Sequence, residues 1–238
     1  MRPSLRQRLD HAPELLDEPA HDRRELEQSL DQVAEVNRLL GGRRAVWIAL
    51  RPLLAADRVT TILDIGTGSA DIPLDIDRRA AAAGHAVSIT AADLHPQMRQ
   101  IALARSAHRD SITVAAADAL ALPYTGSSFD IVLLSLTLHH FEQEEQVQAL
   151  REATRVARRA VIVNELERCR ANYYGARFLA ATRWRGNRLT RHDGPLSVLR
   201  AFTRSELRDL ARAAGMRIER LERRFFYRLV LVADARAP

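Results

Sequence analysis

The segment Thr61–Asp71 constrains the fold more than any other stretch of the chain. Thr61-Ile62-Leu63-Asp64-Ile65 is a short apolar, β-branched run carrying an acid, Gly66-Thr67-Gly68 follows, and Ser69-Ala70-Asp71 opens a helix. A strand that turns directly into a helix needs backbone conformations that glycine adopts freely, and glycine also lets a ligand lie close against the main chain. In dinucleotide sites such a turn delivers a pyrophosphate to the helix N-terminus. The charges here argue against that ligand. Asp64 lies two residues before the first glycine, and Asp71 stands where the dinucleotide pattern has its third glycine. Two carboxylates flanking the turn repel a diphosphate and suit a ligand carrying an ammonium and a sulfonium.

Three further strand ends follow in order. Ala86–Ala92 reads as a buried strand ending at Asp93, followed by Leu94-His95-Pro96, with the proline suited to a first helical turn. An acid about 25 residues after the glycines is placed to accept ribose hydroxyls. Ile112-Thr113-Val114 leads to Asp118-Ala119. Ser128–Ser135 is a further strand, followed by Leu138-His139-His140-Phe141.

With these residues in view, Asp64-x-Gly66-x-Gly68 resembles the first motif of class I methyltransferases that use S-adenosylmethionine (SAM), and the downstream segments resemble that family's next three strands. The family usually has glycine where Ala70 stands. The resemblance covers about residues 60–165. It implies a Rossmann-like α/β fold: a mostly parallel seven-stranded sheet with an antiparallel last strand and helices on both faces. It implies SAM as cofactor and S-adenosylhomocysteine as product. Asp64, Gly66, Thr67, Gly68, Asp93, Leu94, Asp118, Ala119 and Ser135 are then the expected cofactor contacts, with Asp93 on the ribose and Asp118 on the adenine amino group.

The pattern along the chain agrees. Residues 1–21 are polar and contain proline, and read as partly loose. Asp22-x-x-Glu25 resembles a capping box, apolar residues from Leu26 to Leu40 recur at helical spacing, and Gly41-Gly42 ends that helix. A second helix is expected over about 43–54. From Thr61 to Val163 strands and helices alternate, which implies a parallel sheet with ligands bound beyond the strands' carboxyl ends. The expected organisation is an N-terminal helical cap over 1–56 and a SAM-binding domain over 57–238. The alternation breaks at about 166–202, as a substrate-covering insertion would break it. Within this stretch, 168–184 reads as a helix and Gly194-Pro195 as a turn. Thr203-x-x-Glu206 caps another helix, and Met216–Leu221 and Phe225–Val232 read as a closing antiparallel pair.

Composition narrows the function classes. The chain has 238 residues and a net charge of +6, carried largely by arginine. Few runs are purely basic, so nucleic acid is not the expected partner. No stretch approaches the roughly 18 apolar residues of a membrane span. Met1–Arg6 lacks the apolar core of a signal peptide, so a cytoplasmic protein is expected, as monomer or homodimer. The single cysteine, Cys169, excludes an internal disulfide and a cysteine zinc cluster, and no metal is expected.

Methyl transfer from SAM is an in-line displacement in which the protein mainly positions the partners and, for a hydroxyl acceptor, removes a proton. His140 and His192 are the candidate bases, with Glu165 placed to orient a histidine. Tyr173, Arg191 and His139 are candidate acceptor contacts. Tyr173, Tyr174, Phe178 and Trp184 form an aromatic stripe suited to an apolar acceptor. Arg43 or Arg44 is a candidate partner for the SAM carboxylate. The branch resembled most is the quinone-type and natural-product methyltransferases. The leading expectation is O-methylation of a phenolic or polyketide-type small molecule. C-methylation of a quinone-type ring is its rival within the same site. An RNA methyltransferase and a non-catalytic SAM-binding partner are the readings of other classes. The RNA reading needs either a continuous basic face near the pocket or an Asn-Pro-Pro-Tyr-type motif after strand four; that position reads Ser135-Leu136-Thr137-Leu138, which disfavours base N-methylation.

Overall fold

The described residues contain seven strands, most of them the apolar runs of the sequence: β1 (Thr60–Ile65), β2 (Val87–Asp93), β3 (Ile112–Ala116), β4 (Phe129–Ser135), β5 (Ala157–Leu166), β6 (Arg217–Arg224) and β7 (Arg228–Asp234). In the computed structural model, which describes residues 5–235, they form one sheet in the order β3-β2-β1-β4-β5-β7-β6. β1 to β5 pair in parallel, and β7 runs antiparallel to both β5 and β6. The strand order reverses between β1 and β4. That is the switch point at which an open α/β sheet offers a crevice beyond its carboxyl ends.

The inner strands β1, β4, β5 and β7 are apolar on both faces because helices cover both, whereas the edge strand β6 is largely charged. Among the described residues eight α-helices accompany them: α1 (Arg23–Leu39), α2 (Gly42–Leu50), α3 (Asp71–Ala82), α4 (Pro96–Ser106), α5 (Gln143–Val156), α6 (Arg170–Ala181), α7 (Arg188–Arg200) and α8 (Arg204–Ala213). Ile62, Ile131, Leu133 and Ile162 pack with α2 and α3. Their neighbours Leu63, Val132, Leu134 and Val163 point to the opposite face and pack with α5 and α8, as the two-residue period of a strand requires. The Thr203–Glu206 capping box forms as expected, while Asp22 caps α1 only by accepting from the Glu25 N–H. Gly41 ends α1 in the left-handed region at φ +80°. None of the described helices is long and apolar enough to cross a membrane.

Three local expectations are corrected. Gly194-Pro195 is not a turn; both residues lie inside α7. The glycine serves packing instead, since a Cβ on Gly194 would stand 2.4 Å from the Trp184 ring. The last strand begins at Arg228, and Phe225–Tyr227 form the turn before it. The N-terminal segment is not loose within the described residues. Leu9 N–H donates to the Leu199 carbonyl at 3.0 Å, and Leu15 and Leu16 N–H both donate to the Asp193 carboxylate at 2.9 Å. Residues 1–4 lie outside the described residues.

Candidate functional site

The glycine turn and the loop after β4 meet at the switch point. Gly66 and Gly68 have φ of +69° and +55°, and a Cβ on Gly66 would stand 2.7 Å from the Thr137 side chain. Thr137 in turn donates its hydroxyl to the Ile65 carbonyl at 2.9 Å. Ala70, at the position where the resembled family has glycine, is fully buried with φ +59°, a conformation that costs an L-residue about 1–2 kcal/mol.

Acids surround this turn. Asp64 is buried and accepts the Thr67 hydroxyl at 2.7 Å. Burial lifts its pKa to about 7, the Thr67 hydrogen bond opposes the rise, and the nearby Asp71 and Asp93 charges add to it. Asp93, at the end of β2, accepts from the N–H of Gly68 at 2.8 Å and of His95 at 2.9 Å. Asp118 accepts from the Leu120 N–H at 2.8 Å. Leu94 is exposed beside Asp93, and Ala119 is buried beside Asp118.

A cavity of about 390 Å³ opens directly above. Gly66–Ser69, Ser135 and Leu136 contribute to its floor. Leu30, Val33 and Val36 of α1, Ala176 and Leu179 of α6, Trp184 of the turn between α6 and α7, and Val198 of α7 make an apolar roof. Of the residues singled out in the sequence, Asp64, Gly66, Thr67, Gly68, Ser135, His139 and His140 line it; Asp93, Leu94, Asp118 and Ala119 stand at neighbouring strand ends outside that lining. Tyr173 is buried in the packing between α6 and α7. Arg191 and His192 lie on the exposed side of α7, with His192 bonded to Asp193 at 2.7 Å. Phe178 and Trp184 of the aromatic stripe reach the cavity.

One wall of the cavity is polar. Glu165 ends β5 fully buried and accepts from the N–H groups of Thr137 at 3.0 Å and Leu138 at 2.8 Å and from His139 Nδ1 at 2.7 Å. Burial alone would raise its pKa, but His139 and its other donors hold it below the ordinary glutamate value. His139 Nε2 lies 3.6 Å from Glu14, which the sequence reading left unmarked. His140 Nδ1 meets Asp17 at 2.8 Å. Burial pulls the His140 pKa down, yet Glu14, Asp17 and Glu165 together raise it to about 9, so in the unliganded cavity it is a cation and a donor at neutral pH. Arg200 fixes this stretch from behind, donating Nε to the His139 carbonyl and Nη2 to the His140 carbonyl, each at 2.8 Å.

Arg228 is a second residue without a sequence signal. It is fully buried at the start of β7 and donates Nη2 to Asn37 Oδ1 at 2.9 Å. Its buried Nη1 has no hydrogen-bond partner among the described residues, and the side chain lines the cavity. Burial lowers its pKa to about 10, which leaves it charged at neutral pH. Arg43, one of the two arginines expected to meet a carboxylate, is bonded to Asp71 at 3.2 Å, and Arg44 is exposed.

Comparison with known proteins shows what this geometry is similar to. Residues 62–160 match the family model described as a methyltransferase domain. The chain is 36% identical over 115 residues to a demethylmenaquinone methyltransferase of Thermus thermophilus, covering 48% of this chain and 47% of that protein. It therefore spans less than half the length of the curated relatives it matches. A SAM-dependent methyltransferase of Aquifex aeolicus superposes with a TM-score of 0.63 at 18% identity, over 91% of this chain and all of that one. An O-methyltransferase family 2 protein of Planctomyces limnophilus in complex with apigenin superposes with a TM-score of 0.66 at 14% identity, over 92% of this chain and 63% of that one. The fold is that of SAM-dependent methyltransferases, and the stretch that matches the methyltransferase-domain model, residues 62–160, contains the glycine turn and the histidine loop.

The contact between Gly66 and Thr137 yields a prediction with an internal control. Gly84 also has a positive φ, +77°, but a Cβ there meets nothing within 4 Å. Gly84→Ala is expected to lower the unfolding free energy by about 1–2 kcal/mol from backbone conformation alone. Gly66→Ala is expected to cost about 1–3 kcal/mol more, from overpacking against Thr137. Urea denaturation of the two variants checks this; equal losses would mean that the turn and the loop are not in close contact.

Proposed function

We propose that this class I SAM-dependent methyltransferase domain transfers a methyl group from SAM to a hydroxyl of a small apolar or aromatic acceptor. The observation that carries the reading is the cavity, whose floor is the glycine turn, whose roof is apolar and whose wall holds Glu14, His139 and His140. A roofed cavity of this size favours a small molecule over a polynucleotide.

In this reading Asp64 and Asp71 face the amino group of SAM and Arg228 takes its carboxylate. Asp93 accepts the ribose hydroxyls and Asp118 the adenine amino group. The acceptor lies under α1, α6 and α7. The buried Trp184 Nε1, which has no partner among the described residues, is available to donate to an acceptor oxygen. His139, oriented by Glu165, takes the hydroxyl proton as the oxygen attacks the methyl carbon and the S–CH₃ electron pair returns to sulfur. Glu165 is a positioning residue. C-methylation of a quinone-type ring is the second reading, favoured by what the Thermus relative is named for; transfer of a deuterated methyl group, located by NMR on the product, separates oxygen from carbon.

Two outcomes are expected. His139→Gln should lower kcat by about 10²–10⁴-fold while SAM affinity stays within about twofold; near-normal turnover in steady-state kinetics would remove His139 from the reaction. Asp64, with a pKa near 7 in the free protein, must ionise to hold an ammonium. SAM affinity should therefore fall as pH drops below 7, approaching about tenfold per unit. In Asp64→Asn it should be weaker and nearly flat over the same range. Calorimetric titrations from about pH 5.5 to 7 decide the point, and a slope that survives in Asp64→Asn would place the titrating group elsewhere.

A further inference from the structure

The polar wall of the cavity has more carboxylates and imidazoles than a proton transfer needs. We propose that Glu14, His139 and His140 form a binding site for a divalent transition-metal ion, zinc foremost, with an open position facing the cavity. The ion site stands on its own geometry; only its role towards the acceptor rests on the methyltransferase reading above.

The donor set comes first. Each of the three residues offers one ligand atom, and these atoms all lie within 4.8 Å of one another. His139 Nε2 and Glu14 Oε1 are 3.6 Å apart. Two ligands on a tetrahedral ion with bonds of about 2.0–2.1 Å stand roughly 3.4 Å apart, so this pair needs only a small contraction, and His140 completes the set by a side-chain adjustment from within 4.8 Å. Two imidazoles and one carboxylate suit zinc or ferrous iron and disfavour magnesium and calcium, which prefer oxygen ligands.

The surroundings carry the inference further. A metal-binding histidine almost always gives its other ring N–H to a carboxylate or carbonyl, which fixes the tautomer and the ring orientation. Both rings here have that partner: Nδ1 of His139 meets Glu165 at 2.7 Å and Nδ1 of His140 meets Asp17 at 2.8 Å. This leaves Nε2 of each ring to coordinate. Glu14 is buried and oriented by the Ser197 hydroxyl at 2.8 Å. The main chain is fixed as well, by Arg200 behind the two histidines and by Asp193 holding the N–H groups of Leu15 and Leu16 beside Glu14. The ligands are therefore held by three separate parts of the chain before any ion arrives. The carboxylates of Glu14, Asp17 and Glu165 around two imidazoles also provide the negative charge that a dication would offset.

All three ligands line the cavity, so a remaining coordination position opens towards the acceptor, as in catalytic rather than structural zinc sites. An acceptor hydroxyl bound there is acidified by the ion and loses its proton to water. The oxygen then forms its bond to the methyl carbon, the carbon–sulfur bond breaks with its electron pair returning to sulfur, and the ion keeps its charge throughout. His139 Nε2 is then a ligand and not the proton acceptor. Loss of His139 impairs turnover on either account, whereas Asp17 and metal binding itself separate the two. No metal is expected from the sequence, whose single cysteine excludes a cysteine zinc cluster; Glu14 joins the two histidines only through the fold.

The test is zinc binding by the full chain after chelator treatment and dialysis, followed by calorimetry with zinc chloride as the probe. One ion per chain is expected. Glu14→Gln and His140→Gln should each weaken binding at least about 100-fold, and Asp17→Asn, which removes only an outer partner, about 10–100-fold. Calorimetric SAM binding and the circular dichroism spectrum report whether each variant is folded. The absence of stoichiometric zinc binding, or zinc affinity unchanged in both Glu14→Gln and His140→Gln, would overturn the proposal. Zinc binding that depends on these residues in a protein that transfers no methyl group would sink the functional reading and leave the site. Methyl transfer that persists undiminished with no zinc bound would overturn the ion's role towards the acceptor and leave the functional reading.

Discussion

The buried carboxylate of Glu165 organises the site. It ends β5 in the centre of the sheet, and its oxygens accept from two successive main-chain N–H groups and from His139 Nδ1. A buried charge is tolerable only when donors satisfy it, and these donors all come from the loop that follows β4. Satisfying Glu165 therefore dictates the path of that loop, turns His139 towards the cavity and brings Thr137 against Gly66. The same contact closes the floor between the cofactor turn and the polar wall.

The roof depends on a second set of buried charges. Arg200 and Asp193 sit on α7, yet their partners are carbonyls and N–H groups of the N-terminal segment and of the histidine loop. α7 thus acts as a clamp between two distant parts of the chain. It delivers Glu14 to the cavity, while Gly194 on the same helix makes room for Trp184. Arg228, held by Asn37 of α1, ties the last strand to the roof in a similar way. The roof and the sheet are joined by charge-assisted hydrogen bonds around a cavity that is otherwise apolar.

What was legible in the sequence follows from where the information lies. The sheet is legible because parallel strands buried on both faces must be continuous apolar runs, and the turns at their ends must carry glycine or an acid. Asp64, Gly66, Asp93 and Asp118 could be marked for that reason. Glu14 could not: it sits in a polar segment without periodicity, and its burial is created by α7, far along the chain. Arg228 is one arginine among many, and only its burial and its unbonded Nη1 distinguish it. Gly194-Pro195 misled because its local chemistry signals a turn, whereas packing against Trp184 and the Asn187 cap of α7 decide for helix. In each case a long-range contact outweighed local propensity.

Under the proposed function, cofactor and acceptor share one cavity, with the reacting sulfur between the glycine turn and the histidine wall. A crystal structure of the protein with S-adenosylhomocysteine tests it most directly. The amino-acid end of the ligand is expected against Gly66–Gly68 with its carboxylate on Arg228, the ribose on Asp93, and the sulfur facing the space bounded by His139, Trp184 and Glu14. A ligand bound with its sulfur turned away from that space, or with its carboxylate on a residue other than Arg228 while Arg228 keeps only Asn37, would contradict it.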